Sequence, residues 1–164
     1  LSCSRYTRWE DFARYLDLLL AAFIQVYHPA LFERIGLRYI NAISRRDLEL
    51  SEYPYSELIH PMYLGPLNNN SLHETSFNRC GVDFEMKIRN DIIAKVHAGP
   101  GILNRNGRTD PETKFIFDQD LFAAGDIPIN HAASTLDVIH NMATRLFRGA
   151  ITDTLHDAMQ PHII

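Results

Sequence analysis

From Val82 to Arg89 the chain alternates without exception: Val82, Phe84, Met86 and Ile88 are apolar, and Asp83, Glu85, Lys87 and Arg89 are charged. Successive strand side chains point to opposite faces, so this stretch predicts a strand with one buried and one wet face. A sheet of this kind needs a covering layer, which limits the fold to sheet-on-sheet or helix-on-sheet packing. A second alternating stretch, Glu33 to Ile43, puts Ile35, Leu37, Tyr39 and Ile43 on one face and Arg34, Gly36, Arg38 and Ile40 on the other. Gly36 in its middle marks a bulge or a close backbone approach.

Two segments have helical spacing instead. Trp9, Phe12, Leu16, Leu19, Phe23 and Val26 follow Thr7-Arg8-Trp9-Glu10, which reads as a capping box, and Pro29 ends the helix with His28 pushed toward extended geometry. Leu136, His140, Ala143, Phe147, Ile151, Leu155 and Met159 predict one long final helix capped by Ser134. At 1.5 Å per residue it would run to ~40 Å. Asn90-Asp91 reads as a tight turn into a partner strand, Ile92 to Ala98, and Lys114 to Phe122 as a further strand. Gly99-Pro100-Gly101 followed by Asn104 to Arg108 reads as a long polar loop. Residues 44–70 read as an irregular linker ending in the Asn68-Asn69-Asn70 loop, with a short helix near Ser56–His60. The fold expected is an α+β two-layer sandwich: a mostly antiparallel sheet of about four strands with two long helices packed on one face. The hairpin and last strand form a meander; the place of the first strand is open.

With 46% apolar residues over 164, residues 1–164 can form a single α+β domain around one core. Sixteen Lys and Arg against twenty Asp and Glu give a net charge of −4, which disfavours a strongly basic nucleic-acid binder. Cys3 and Cys80 make no disulfide framework and no C-x-x-C, so reduced thiols in a cytoplasmic protein are expected. No apolar run approaches a membrane span, and Leu1 to Arg5 do not read as a signal peptide. The absence of an initiator methionine suggests a fragment of a longer chain or a processed one.

The chemistry searched for is mostly missing its signature. His73-Glu74-Thr75-Ser76-Phe77 has Phe where a zinc-protease helix needs its second histidine. Gly99-Pro100-Gly101 lacks the Lys-Ser/Thr of a phosphate loop, G-x-S-x-G is absent, and His156 and His162 stand six apart near the end of the chain. No catalytic residue, metal site or cofactor is assigned. Some polar residues carry two open readings. Asp118 and Asp120 share a strand face at a D-x-D spacing that suits a divalent cation or, on the favoured plainer reading, a solvated strand edge or arginine partners. Arg34 and Arg38 share a face and suit a carboxylate or phosphate ligand, or an ion pair with those aspartates. His140 is a half-buried core histidine or a general base. Arg105 and Arg108 are a solvated loop or a nucleic-acid contact. Arg34, Arg38, Asn41, Asp118, Asp120 and His140 thus form the candidate polar cluster.

Arg34-Ile35-Gly36-Leu37-Arg38-Tyr39-Ile40-Asn41 resembles the signature of a sporadically distributed bacterial family of uncharacterised proteins. Tyr6-Thr7-Arg8-Trp9-Glu10-Asp11-Phe12 is similar to its Y-x-x-W-x-x-F segment, and Phe117-Asp118-Gln119-Asp120 to its apolar-D-x-D strand, with Gln119 where an apolar residue is expected. Leu136-Asp137, His140, Phe147, Ile151-Thr152 and Leu155 echo its last helix. The resemblance implies a longer parent chain, of which this is the C-terminal part, and a bacterial accessory or defence setting, but no activity. The function expected is a binding or assembly module whose partner is the N-terminal half of the same protein or another copy. A metal-dependent enzyme using Asp118 and Asp120, and a nucleic-acid binder, are the alternatives. Tyr53, Tyr55, Met62, Tyr63 and Leu64 in the linker, with the exposed part of the first helix, are the expected contact surface.

Overall fold

The computed structural model describes residues 1–3, 6–69, 71–89, 91–105 and 107–160. Its elements run α1 (Trp9–Tyr27), β1 (Leu31–Ile43), α2 (Tyr55–Leu58), three short 3-10 turns, β2 (Val82–Arg89), β3 (Ile92–Arg105), β4 (Arg108–Pro128), α3 (Ala132–Ala150) and α4 (Asp153–Ala158). The four strands form one antiparallel sheet in the order β1-β4-β3-β2. β2, β3 and β4 are the expected meander, and β1 closes the other edge against β4. Asn90 and Asn106 of the expected turns, Asn70, Ser4, Arg5 and His162 lie outside the described residues.

Alternation decides which side is core. Ile35, Leu37 and Ile43 of β1 register with Ala123, Leu121 and Phe115 of β4, and Ile92, Ala94, Val96 and Ala98 of β3 share their face. α3 covers β1 and β4, burying Leu136, Ile139 and Ala143. That leaves the β2–β3 half of the sheet to be covered by something else. Residues 50–67 cover it: Leu50, Tyr55, Leu58, Ile59, Tyr63, Leu64 and Leu67 are all buried. Tyr63 meets Phe117 edge-on at 5.2 Å and lies 6.0 Å from Phe84. The linker is therefore core, not contact surface. Of its five expected contact residues only Tyr53 and Met62 are exposed.

Four local expectations are corrected. Gly99 to Arg105 and Arg108 are strand, not loop, and β4 starts at Arg108, six residues ahead of the expected Lys114. A Cβ on Gly99 would sit 2.6 Å from the Cys80 carbonyl oxygen, so this glycine serves a close backbone approach. β2 begins only at Val82, opposite Ala98, so Pro100 sits where β3 has become an edge and a missing N–H is tolerated. The final helix is two helices. Ile151 turns extended and bridges Ile59, the Thr152 amide donates to the Leu58 carbonyl (2.9 Å), and the Thr152 hydroxyl accepts from the Leu155 amide to start α4. Neither expected cap forms: Arg8 and His131 are the N-cap residues, without side-chain capping bonds, and Ser134 instead donates to the His131 carbonyl at 3.0 Å. His28, finally, is left-handed (φ 46°), its amide closing α1 on the Ile24 carbonyl at 3.0 Å.

Candidate functional site

The candidate residues divide between the two faces of the sheet. Arg34, Arg38, Asp118 and Asp120 meet on the open face; Asn41 and His140 lie on the helix-covered one, as the parity of Asn41 with Tyr39 requires.

On the open face β1 carries Arg34 and Arg38, β4 Asp118 and Asp120, β3 Lys95 and His97, and β2 Asp83 and Glu85 followed by Lys87 and Arg89. Arg38 holds Asp118 with two parallel N–H donors, Nε at 2.8 Å, which keeps its guanidinium firmly protonated. Arg34 donates to Asp120 at 2.9 Å. To reach it, its guanidinium passes over Gly36 and stacks 4.3 Å from the Phe122 ring centroid. A Cβ on Gly36 would lie 3.0 Å from the Phe122 Cβ and 3.2 Å from an Arg34 nitrogen, so the close approach foreseen here belongs to this stack. Lys95 reaches Glu85 at 3.3 Å, and His97 Nδ1 is 2.8 Å from Asp83. Both D-x-D carboxylates are thus held by arginines, and a cation at this spacing would have to displace Arg34 and Arg38. Among the described residues no group of three or more His, Cys, Asp or Glu side chains is placed to hold a metal ion.

The covered face carries a smaller polar chain. Tyr39 Oη lies 2.9 Å from His140 Nδ1, and Trp9 stacks on the imidazole at 4.3 Å, nearly parallel. Trp9 Nε1 donates to Asp137 at 3.3 Å. Burial lowers His140, against the opposing charges of Glu10 and Asp137, and burial pushes Tyr39 up, with Tyr6 adding to the effect. The imidazole is therefore neutral near pH 7 and the phenol keeps its proton, with the direction of the Tyr39–His140 bond set by the imidazole tautomer. Asn41 reaches only the Phe117 carbonyl, at 3.5 Å. Gln119, in register with Tyr39 and Val96, is buried with its Oε1 unpartnered. This arrangement ties α1, β1 and α3 together and presents no nucleophile to solvent.

A third cluster escaped the sequence reading. Lys114, only 8% exposed at its side chain, sits 2.9 Å from Glu112 and 3.3 Å from Asp110. The Ser44 hydroxyl and the Arg46 amide also donate to Glu112, at 2.6 and 3.1 Å. Burial alone would raise Glu112, but the bonds from Ser44, Lys114 and Arg46 hold it at about 2. Glu112 and Lys114 stand two apart and share a strand face, a signal hidden while the strand is read as starting only at Lys114.

α1 differs from all of these. None of its residues is fully buried; Trp9, Phe12, Leu16 and Leu20 rest partly on the core. Tyr15, Leu18, Leu19, Phe23, Val26 and Tyr27 are exposed, Val26 and Tyr27 by 69% and 70%. No protein-family model, curated protein or solved structure matches this chain. Among the described residues no helix is long and apolar enough to cross a membrane.

Proposed function

We propose that this chain is a non-catalytic binding or assembly module, acting in the cytoplasm of a bacterium, that engages a partner protein through the exposed side of α1. The observation that carries this reading is the contrast between the two kinds of surface. The charged groups able to do chemistry are spent on one another, while a ten-residue run from Leu18 to Tyr27 without a formal charge faces solvent over much of its girth. Apolar surface of this kind marks interaction sites. The free thiols of Cys3 and Cys80 suit a reducing compartment, and the resemblance of the Arg34–Asn41 stretch to a patchily distributed bacterial family suits an accessory or defence setting.

The test is a photocrosslinking amino acid placed at Val26 in the intact chain inside cells, with Lys87 on the open sheet face as control. A protein adduct from Val26 and none from Lys87 is expected. Failure of both Val26 and Leu18 to form any adduct would overturn the reading.

A further inference from the structure

The exposed face of α1 has a spacing of its own. Tyr15, Leu19, Ala22 and Val26 recur at four, three and four residues, the pattern of a seam along which two helices pack knobs into holes. It is distinct from the inward row of Trp9, Phe12, Leu16 and Leu20 that rests on the core. Leu18 and Phe23 flank the seam, and both are exposed. A helix whose apolar surface runs on from its inner side to an exposed flank is expected to be covered on both.

Three properties say what covers it. The first is area: the five exposed large side chains on or beside the seam, 43% to 69% accessible, present on the order of 500 Å² together, most of the roughly 800 Å² each partner gives a standard stable interface. The second is charge. From Leu18 onward the helix carries no formal charge, so two copies of this face bring no like charges together, and there is no charge for a basic or acidic partner to read. The third bears on a lipid surface. Interfacial membrane helices carry Lys and Arg on the rim of their apolar face, whereas here the last turn has no basic residue and the chain is net −4.

We propose that a second copy of this chain covers the seam, α1 against α1 about a two-fold axis, so that the module assembles with itself. This deepens the proposed function and rests on it. In a two-fold pair the same patch serves both copies, as a seam that is apolar and uncharged along its length allows.

Sedimentation equilibrium of the purified chain should show a species of twice 18.8 kDa that dissociates on dilution. Leu19→Glu with Val26→Glu puts four carboxylates into the shared seam and should weaken dimerisation at least a hundredfold, with an unchanged circular dichroism spectrum because both positions are exposed. Lys87→Glu should leave it unchanged. Should the double-glutamate chain not fold, Leu19→Ser with Val26→Ser asks the same question, with about a tenfold weakening expected. A wild-type chain that stays monomeric to 100 µM, or a dimer indifferent to both pairs of substitutions, overturns the second copy. If that monomer still crosslinks from Val26 to another protein, the module reading stands without it. A monomer that forms no adduct, and instead co-sediments with phosphatidylcholine–phosphatidylserine vesicles through Val26, overturns both.

Discussion

The two long helices are nineteen residues each and rest on the same side of one sheet, where Trp9 of α1 stacks on His140 of α3. Their relation to the core is opposite. α3 buries Ala132, Leu136, Ile139, Ala143 and Ala150 while carrying Asp137, Arg145 and Arg148 away from it. α1 is the more apolar in sequence and buries none of its residues fully. Apolar content alone therefore does not place a helix in a core; the available sheet surface does. α3 takes β1 and β4, and residues 50–67 take the remainder, so α1 has only the margin left to it. Its exposed apolar face is the part of the molecule that the proposed assembly would cover.

If that contrast is right, truncation should hurt the two helices very unequally. Ile139→Ala, at a fully buried site, should cost about 2–5 kcal/mol in urea unfolding. Leu18→Ala in the monomer should stay within about 0.5 kcal/mol. Equal costs would mean that α1 is a core helix after all.

The contact between the helices can be probed by pH. Burial holds His140 below its ordinary value, so on acidification the unfolded chain takes up the proton first. The stability this histidine contributes is present above about pH 6.5 and is lost as pH falls below it. Between pH 7 and 5 the loss should be under about 1 kcal/mol after solvent screening, read as a falling melting temperature with Trp9 fluorescence changing in step. His140→Gln should flatten that dependence, and an unchanged slope in the variant would remove His140 as its source.

The smallest effect belongs to the face that neither helix touches. The Arg38 side chain is 61% exposed, so Arg38→Ala should cost only about half a kcal/mol despite its two-donor grip on Asp118. A sheltered pair would have cost on the order of 3 kcal/mol, because a carboxylate would be left stranded. A loss of that size would show that the sheet face is covered in the working protein, and that the apolar side of α1 is not the whole interface.

Where local chemistry and tertiary structure agree, the sequence was readable. A period of two depends only on which way each side chain points, so the faces of β1 and β2 follow from the residues themselves, whereas the meeting of Arg38 with Asp118 also needed β1 to lie beside β4. The period of 3.6 likewise located both long helices. Local signals misled where a distant partner set the conformation. Gly99-Pro100-Gly101 carries every mark of a loop, yet Gly99 is there because the chain at Cys80 and Gly81 lies against it. The helical stripe runs on through Ile151, yet Ile59 draws that residue into a bridge and splits the helix. Tyr55, Tyr63 and Leu64 have no period to betray them, and they are buried because half a sheet needed a cover. Periodicity reports which face of an element is apolar. Which neighbour that face meets, and whether enough neighbours exist to cover it, depends on the competition of all elements for one sheet, and only the assembled fold decides that.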